Sequence, residues 1–432
     1  MIGHSRPARA AAAGMLVALL ILAGCSASAS SDSPPTRAEI AALLAGHARA
    51  VRTGDRAAFL AGVDDAPAAR RFRQAQAGAF ANLARLPLTR WFYRLGPRAQ
   101  APGAQAAARR RYGASAVIYR VQLSYALRGA DRRPTSHQLW WTFTRKDGRV
   151  VAADDRGLAA VGGASWRGPW DFGPLDVVRG SAALVLGHPG DAPLLQSLAG
   201  TVDAAVPAVS AVWGTGWARS VVVLVPRSPV ELQADLGTAA DVGEPAASVA
   251  AVAVSDATDP VTGAVLGQRL VVEPDQLRRL SPIGRQIVIR HEVTHIADAA
   301  ATSGSTPRWL AEGFAEYVGN LGSGQPVRTA AAELRAAVEH GRVPRQLPGP
   351  AAFAASATAA QAYAQAWLAC RLIAARVGVA GLVTFYRAVG AAGGTPHAAV
   401  ARAVRHVLAE SLAAFTAQWR GYLVRELGGR VG

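Results

Sequence analysis

The chain has 432 residues, 51% of them hydrophobic, and a formal charge of +17 at pH 7. That is ample for two domains and a sizeable core. Of its 46 basic residues only Lys146 is a lysine. The arginines are scattered or in short runs (Arg70, Arg71, Arg73; Arg109, Arg110, Arg111; Arg132, Arg133) without interleaved aromatics, which argues against a nucleic-acid partner. The charge admits a looser partner, an anionic lipid or envelope polymer, because a basic surface attracts polyanions non-specifically.

In chain order, Arg6 and Arg9 give a positive start. AAAGMLVALLILAG (11–24) follows as an apolar run, short of the roughly 20 residues of a comfortable membrane span. It ends in Leu22-Ala23-Gly24-Cys25, which resembles the bacterial lipobox. The resemblance implies a lipoprotein signal peptide over 1–25 and diacylation of Cys25. It implies a protein anchored by lipid at the extracytoplasmic face of the cell membrane. A plain signal peptide or a signal anchor is the alternative. SASASSDSPP (26–35) reads as a flexible tether. With Cys25 lipidated, Cys370 stands alone and no intrachain disulfide can form. Cys370 sits in an apolar helical stretch and reads as a small buried residue rather than a nucleophile.

Residues 36–160 read as an α+β module. RAEIAALLAGHARAVRTGDRAAFLAGV has helical spacing with a Gly-Asp break, and a further helix is expected over 66–85. Alternating, aromatic-rich runs at 89–96, 114–127 and 136–145 predict strands. Helices first and a curved antiparallel sheet after resemble the cone-shaped nuclear-transport-factor-like fold. Such a module is either a docking pocket or a spacer. His47 and His137 show no ligand spacing. GGASWRGPWDFGP, within 161–174, reads as a linker.

Residues 175–432 form the second expected domain. Strands are predicted at 181–188, 220–226, 246–254 and 268–274, with helices over 191–212 and 229–237. His188, in a Gly-Pro-Gly turn, reads as structural. Beyond 320 the chain is Ala-rich and helical, interrupted by VPRQLPGP (343–350), a loop able to rim a cleft. His340, His397 and His406 read as surface residues, with His340 a reserve proton donor.

The chemistry concentrates between His291 and Tyr317, HEVTHIADAAATSGSTPRWLAEGFAEY. Ser281 as N-cap and Pro282 at the first position start a helix that carries His291 and His295. Residues four apart share one helix face, so both imidazoles can bind one Zn²⁺ at about 2.0–2.1 Å. Glu292 projects beside them, placed to hold a water rather than the metal. ATSGST (301–306) breaks the helix, and Thr306 with Pro307 is expected to cap and start the next. That second helix offers Glu312 and, one turn on, Glu316. Two histidines, one glutamate and a water make a known catalytic zinc set, so His291, His295 and Glu312 are the expected ligands. Glu316 is expected behind them, accepting the outer N–H of a ligand histidine.

WLAEGFAEY resembles the second zinc motif of gluzincin metallopeptidases, the clan of thermolysin and of the aminopeptidase N/leukotriene hydrolase family. In that motif the Glu of W-L-x-E-G-x-A is the third ligand, and Glu312 falls on it. Ala311 departs from the Asn often found before that Glu. YAQAWLACRLIAARVG (363–378) resembles the family helix whose tyrosine stabilises the oxyanion; Tyr363 takes that place, Leu372 the apolar place and Gly378 the C-cap. The Gly-x-Met-Glu-Asn stretch that reads a free amino end is absent, which puts aminopeptidase specificity in doubt. The closer resemblance is to compact peptidase MA-like bacterial lipoproteins, over roughly residues 175–425. The implied architecture is α+β: a nuclear-transport-factor-like module, then a gluzincin-type domain with a small mixed sheet, zinc-binding helices and a helical C-terminal part. An edge strand of that sheet would line the substrate cleft. The implied activity is zinc-dependent hydrolysis of a peptide or protein, with Glu292 as general base and one Zn²⁺ per chain. A zinc-binding scaffold without turnover, and a non-peptide amide or epoxide hydrolase, remain as alternatives.

Overall fold

The computed structural model describes residues 32–237, 250–259, 262 and 265–428. Cys25, the start of the tether and the start of the 246–254 run lie outside the described residues.

The N-terminal part opens with α1 (Arg37–Thr53), α2 (Arg56–Ala61) and α3 (Arg70–Leu83). Thr36 and Glu39 close a capping box on α1, and Gly54 ends it in the left-handed conformation (φ 71°) that a side chain would resist. Then come β1 (Leu88–Arg98), α4 (Pro102–Tyr112), β2 (Val117–Leu127), β3 (Thr135–Lys146) and β4 (Arg149–Asp154). The four strands form an antiparallel meander in sequence order. One face buries Val121, Leu123, Trp141 and Phe143 against Ile40, Leu44, Phe59 and Phe80 of the helices. Helix α4 departs from the expected helices-then-strands order. It is inserted between the first two strands, started by Pro102 and stopped at Gly113.

The second sheet contains β5 (Asp176–Arg179), β6 (Ala183–Gly187), β7 (Val221–Leu224), β8 (Ala251–Val254) and β11 (Arg269–Val272). Helix α5 (Ala192–Trp213) connects β6 to β7, α6 (Pro229–Leu236) follows β7, and β9 (Ala257–Thr258) pairs with β10 (Val265–Leu266) as a separate hairpin. The order is β5-β6-β7-β11-β8, with β6, β7 and β11 parallel and both outer strands antiparallel. It is therefore a mixed sheet with β8 at one edge.

Both faces of this sheet are buried, which is why its strands read as unbroken apolar runs. Val185, Val221, Val223 and Leu270 face α5 and the helices beyond. Leu184, Leu186, Val222, Leu224 and Val271 face the other way, onto Tyr125, Leu127, Trp170 and Leu175. The 162–174 stretch thus contributes a buried tryptophan to a core that contains side chains of both sheets. A buried ion pair crosses at the same place: Arg269 on β11 forks onto Asp131, with Nη1–Oδ1 at 2.8 Å and Nη2–Oδ2 at 3.0 Å. His188 is buried with its Nε2 2.8 Å from Glu231 Oε1 and its Nδ1 2.8 Å from the Pro174 carbonyl, a structural cross-link.

The remainder is helical: α7 (Pro274–Arg279), α8 (Pro282–Asp298), α9 (Arg308–Asn320), α10 (Val327–Ala330), α11 (Ala332–Glu339), α12 (Pro350–Ala354), α13 (Ala359–Ala391), α14 (Pro396–Leu408) and α15 (Leu412–Leu427). Gly378 (φ 74°, ψ 171°) breaks α13 into two segments. α5 and α13 are long and apolar enough to cross a membrane, but each buries a face in the core, through Leu198, Val202 and Val209 and through Leu368, Ile373 and Phe385. Cys370 lies on α13, fully buried as a free thiol whose pKa burial pushes up. α9 is wedged between α8 and α13. A Cβ on Gly313 would come within 2.4 Å of the Ala366 carbonyl oxygen of α13, and one on Gly319 within 3.0 Å of the Ile287 carbonyl of α8. Glycine at both places is what lets the three backbones approach.

Candidate metal centre

α8 starts as its sequence dictates. Ser281 Oγ accepts the Gly284 N–H at 3.1 Å, and Pro282 occupies the first turn. α9 starts one residue later than its sequence suggests. Pro307 is the extended N-cap residue (φ −70°, ψ 149°) and Arg308 the first helical residue. Thr306 turns back instead, its hydroxyl accepting the Ser303 N–H at 3.2 Å.

The two helices bring three ligand atoms together. His291 Nε2 and His295 Nε2 are 3.1 Å apart, and Glu312 Oε2 lies 3.4 Å from each. Ligands bound at about 2.0–2.1 Å to a tetrahedral zinc sit about 3.3–3.4 Å from one another, the edge of that tetrahedron. The triangle here has those dimensions. It is formed of two imidazole nitrogens and one carboxylate oxygen, a set suited to zinc. The residues present therefore fit the metal. The side chains keep 10%, 24% and 15% of their surface for His291, His295 and Glu312, so the triangle is sheltered without being sealed.

Glu316 lies behind His291, its Oε1 3.4 Å from Nδ1, and is steadied by Asn320 Nδ2 donating to its Oε2 at 2.9 Å. A carboxylate on Nδ1 favours the proton there and leaves the Nε2 lone pair facing the triangle. Glu292 is buried on the same helix. Its Oε2 accepts the Ala253 N–H of edge strand β8 at 2.8 Å, which ties the acid to the sheet. Tyr363 projects from α13, its ring centroid 6.3 Å from that of His291 and 5.2 Å from that of Phe353. His340, by contrast, is exposed at the end of α11, with Nδ1 2.6 Å from the Ala336 carbonyl.

Electrostatics follow from this burial. Burial alone would pull both imidazoles down. Hydrogen bonding to Glu312, and to Glu316 for His291, outweighs it and raises both, His291 well above its ordinary value. Burial would raise Glu312, but the two histidines hold it below the usual carboxylate range. Burial raises Glu292, opposed by the nearby His291 and His295. Burial also pushes the Tyr363 phenol up, so its hydroxyl stays protonated and able to donate.

Two residues of the centre have no counterpart in the motif reading. Arg308 Nε lies 3.4 Å from Glu312 Oε1, and its positive charge opposes the upward push of burial on the Tyr363 phenol. Its signal was the i,i+4 spacing to Glu312. Asp298 is fully buried one turn past His295, with Oδ2 unpartnered and the carboxyl pushed up by burial to about 7. Its signal was an acid at i+3 from a histidine.

No family model and no curated protein matches the chain. Among solved structures, an alanine variant of a two-domain M1 zinc metallopeptidase with L-arginine bound is similar at 15% identity and a TM-score of 0.30. The alignment covers 67% of this chain and 59% of that one, so this chain spans less than two thirds of its length. So slight a likeness does not bear on the centre, whose reading rests on the convergence of His291, His295 and Glu312.

Proposed function

We propose that the protein is a zinc-dependent peptidase, held by a lipid on Cys25 at the extracytoplasmic face of the cell membrane. The observation that carries the activity is the triangle of His291 Nε2, His295 Nε2 and Glu312 Oε2, with 3.1–3.4 Å edges, beside the buried acid Glu292. The anchor rests on the lipobox resemblance alone. Residues 36–160 are read as a nuclear-transport-factor-like module that backs the second sheet.

When held by these three side chains, zinc would supply Lewis-acid polarisation of a carbonyl and a water made acidic near neutral pH. The chain's own residues do the rest. Glu292 takes a proton from the attacking water as its oxygen adds to the peptide carbonyl carbon. As the C–N bond breaks, Glu292 passes that proton to the leaving amine. The Ala253 N–H keeps one oxygen of Glu292 fixed, so the other meets the water. The Tyr363 hydroxyl donates to the oxygen that gains charge, and Glu316 fixes the tautomer of His291.

Metal analysis of the purified full-length protein should find one zinc per chain. Chelation should stop cleavage of a mixed peptide library, and added zinc should restore it. Glu292→Gln should retain zinc and lose about 10²–10⁴-fold in kcat. Full activity in that variant would overturn the assignment.

A further inference from the structure

A cavity of 690 Å³ adjoins the centre, between the start of α9, the 345–350 segment, and helices α14 and α15. Its size falls in the range of small-ligand pockets, roughly 300–1,000 Å³. Arg308, Arg345, Arg420 and His397 line it, over apolar surface that includes Trp309 and Leu347. None of its lining residues is acidic. Arg345 and Arg420 have no ion-pair partner among the described residues; Arg420 spends only its Nε, on the Pro344 carbonyl at 3.2 Å. Arg308 belongs to both places. Its Nε is 3.4 Å from Glu312 Oε1, and its guanidinium lies 5.1 Å from the centre of the Phe353 ring, which packs at 90° on Tyr363.

Two guanidinium groups without a counter-carboxylate, Arg345 and Arg420, beside a third that Arg308 shares with Glu312, make a field that draws an anion. The planar fork of arginine matches a carboxylate in particular. We propose that this cavity is a carboxylate-selecting subsite, and that the protein cleaves peptides presenting a carboxylate within reach of the scissile bond. The proposal rests on the peptidase reading. The carboxylate can come from an Asp or Glu side chain or from the C-terminus of a short peptide.

The test uses the full-length, zinc-loaded protein and peptides that differ only by Glu or Gln beside the cleaved bond, each as C-terminal acid and as amide. The carboxylate forms should be cleaved with about 10-fold higher kcat/KM, and the acid and amide arms tell which source is read. Arg345→Gln and Arg420→Gln should each remove about 3–5-fold of that preference. Arg345→Glu should shift preference towards a Lys peptide. Equal kcat/KM for carboxylate and carboxamide, or a preference that survives the Arg345→Gln/Arg420→Gln double variant, would overturn the proposal. If no peptide is cleaved, the peptidase reading fails, and fluorescence-anisotropy binding of the same peptides decides the subsite separately. Carboxylate-selective binding that the double variant loses sustains it; binding without selectivity ends it.

Discussion

Replacing Gly313 by alanine should damage the metal centre without touching a ligand. The added Cβ would sit 2.4 Å from the Ala366 carbonyl oxygen and 2.6 Å from its carbon, and both atoms are backbone. No rotamer change can relieve that, so α9 must move off α13 by roughly 1.0 Å or more to reach ordinary contact. The way out is closed on the other side, where Gly319 already lies against the Ile287 carbonyl of α8. Glu312 is the residue before Gly313 and moves with it. Metal-ligand distances tolerate only about 0.2 Å, so zinc affinity should fall about 10–100-fold. Overpacking should cost about 1–3 kcal/mol of stability as well. A competition titration against a chromophoric chelator reads the first effect, and thermal melting of the metal-free protein reads the second. Gly46→Ala is the control. It lies inside α1 with nothing within 4 Å, so it should gain about 0.5–1 kcal/mol and leave zinc binding alone. Wild-type zinc affinity and Tm in Gly313→Ala would show that the α9–α13 approach does not set the place of Glu312.

Tyr363→Phe should lower kcat about 10²–10³-fold with zinc content unchanged; single-turnover kinetics checks this, and an unaltered rate would remove the hydroxyl from the reaction. Asp131→Asn leaves the buried Arg269 without its counter-charge and should cost about 3–5 kcal/mol, read by urea unfolding. The metal-free protein should have a pH signature from its raised imidazoles and lowered carboxylate. The contribution of His291 and His295 is full below their unfolded value of 6.5 and is lost as pH rises through the higher folded values. That of Glu312 is present above its unfolded value of 4.5 and is lost as pH falls through the lower folded one. The stability difference between wild type and Glu312→Gln should therefore peak in the weakly acid window between those values. A difference that stays flat across pH would contradict the coupling. Zinc requires neutral imidazoles, so its affinity should climb as pH rises past that window.

Much of the centre was legible because it is local. The Ser281-Pro282 start, the i,i+4 histidines and the Glu312–Glu316 turn each encode one helix face, and helix geometry turns spacing into direction. β6, β7 and β11 were legible as apolar runs for a related reason, since a strand buried on both faces needs no alternation. What lay hidden depended on long-range packing. Nothing in LVLG or VVVL says which neighbour covers which face, so the packing of Tyr125 and Trp170 against the second sheet could not be read from the strands. α4 was hidden because its Ala and Arg residues show little apolar period, although Pro102 and Gly113 punctuate it. The start of α9 slipped by one residue because Thr306 has a competing use, a turn with Ser303. Arg308 and Asp298 were missed because their roles depend on what Tyr363, Phe353 and Tyr386 place beside them from α12 and α13.

The doubly covered sheet has a practical consequence for handling the molecule. Excising everything ahead of β5 would strip Leu184, Leu186, Val222, Leu224 and Val271 of Tyr125, Leu127, Trp170 and Leu175 and lay a greasy strip open to water. Such a truncated species would look for another chain to bury it and would clump. Kept whole, the protein should melt as one cooperative event, with the front half acting as half of the insulation around the strands that support the zinc helices.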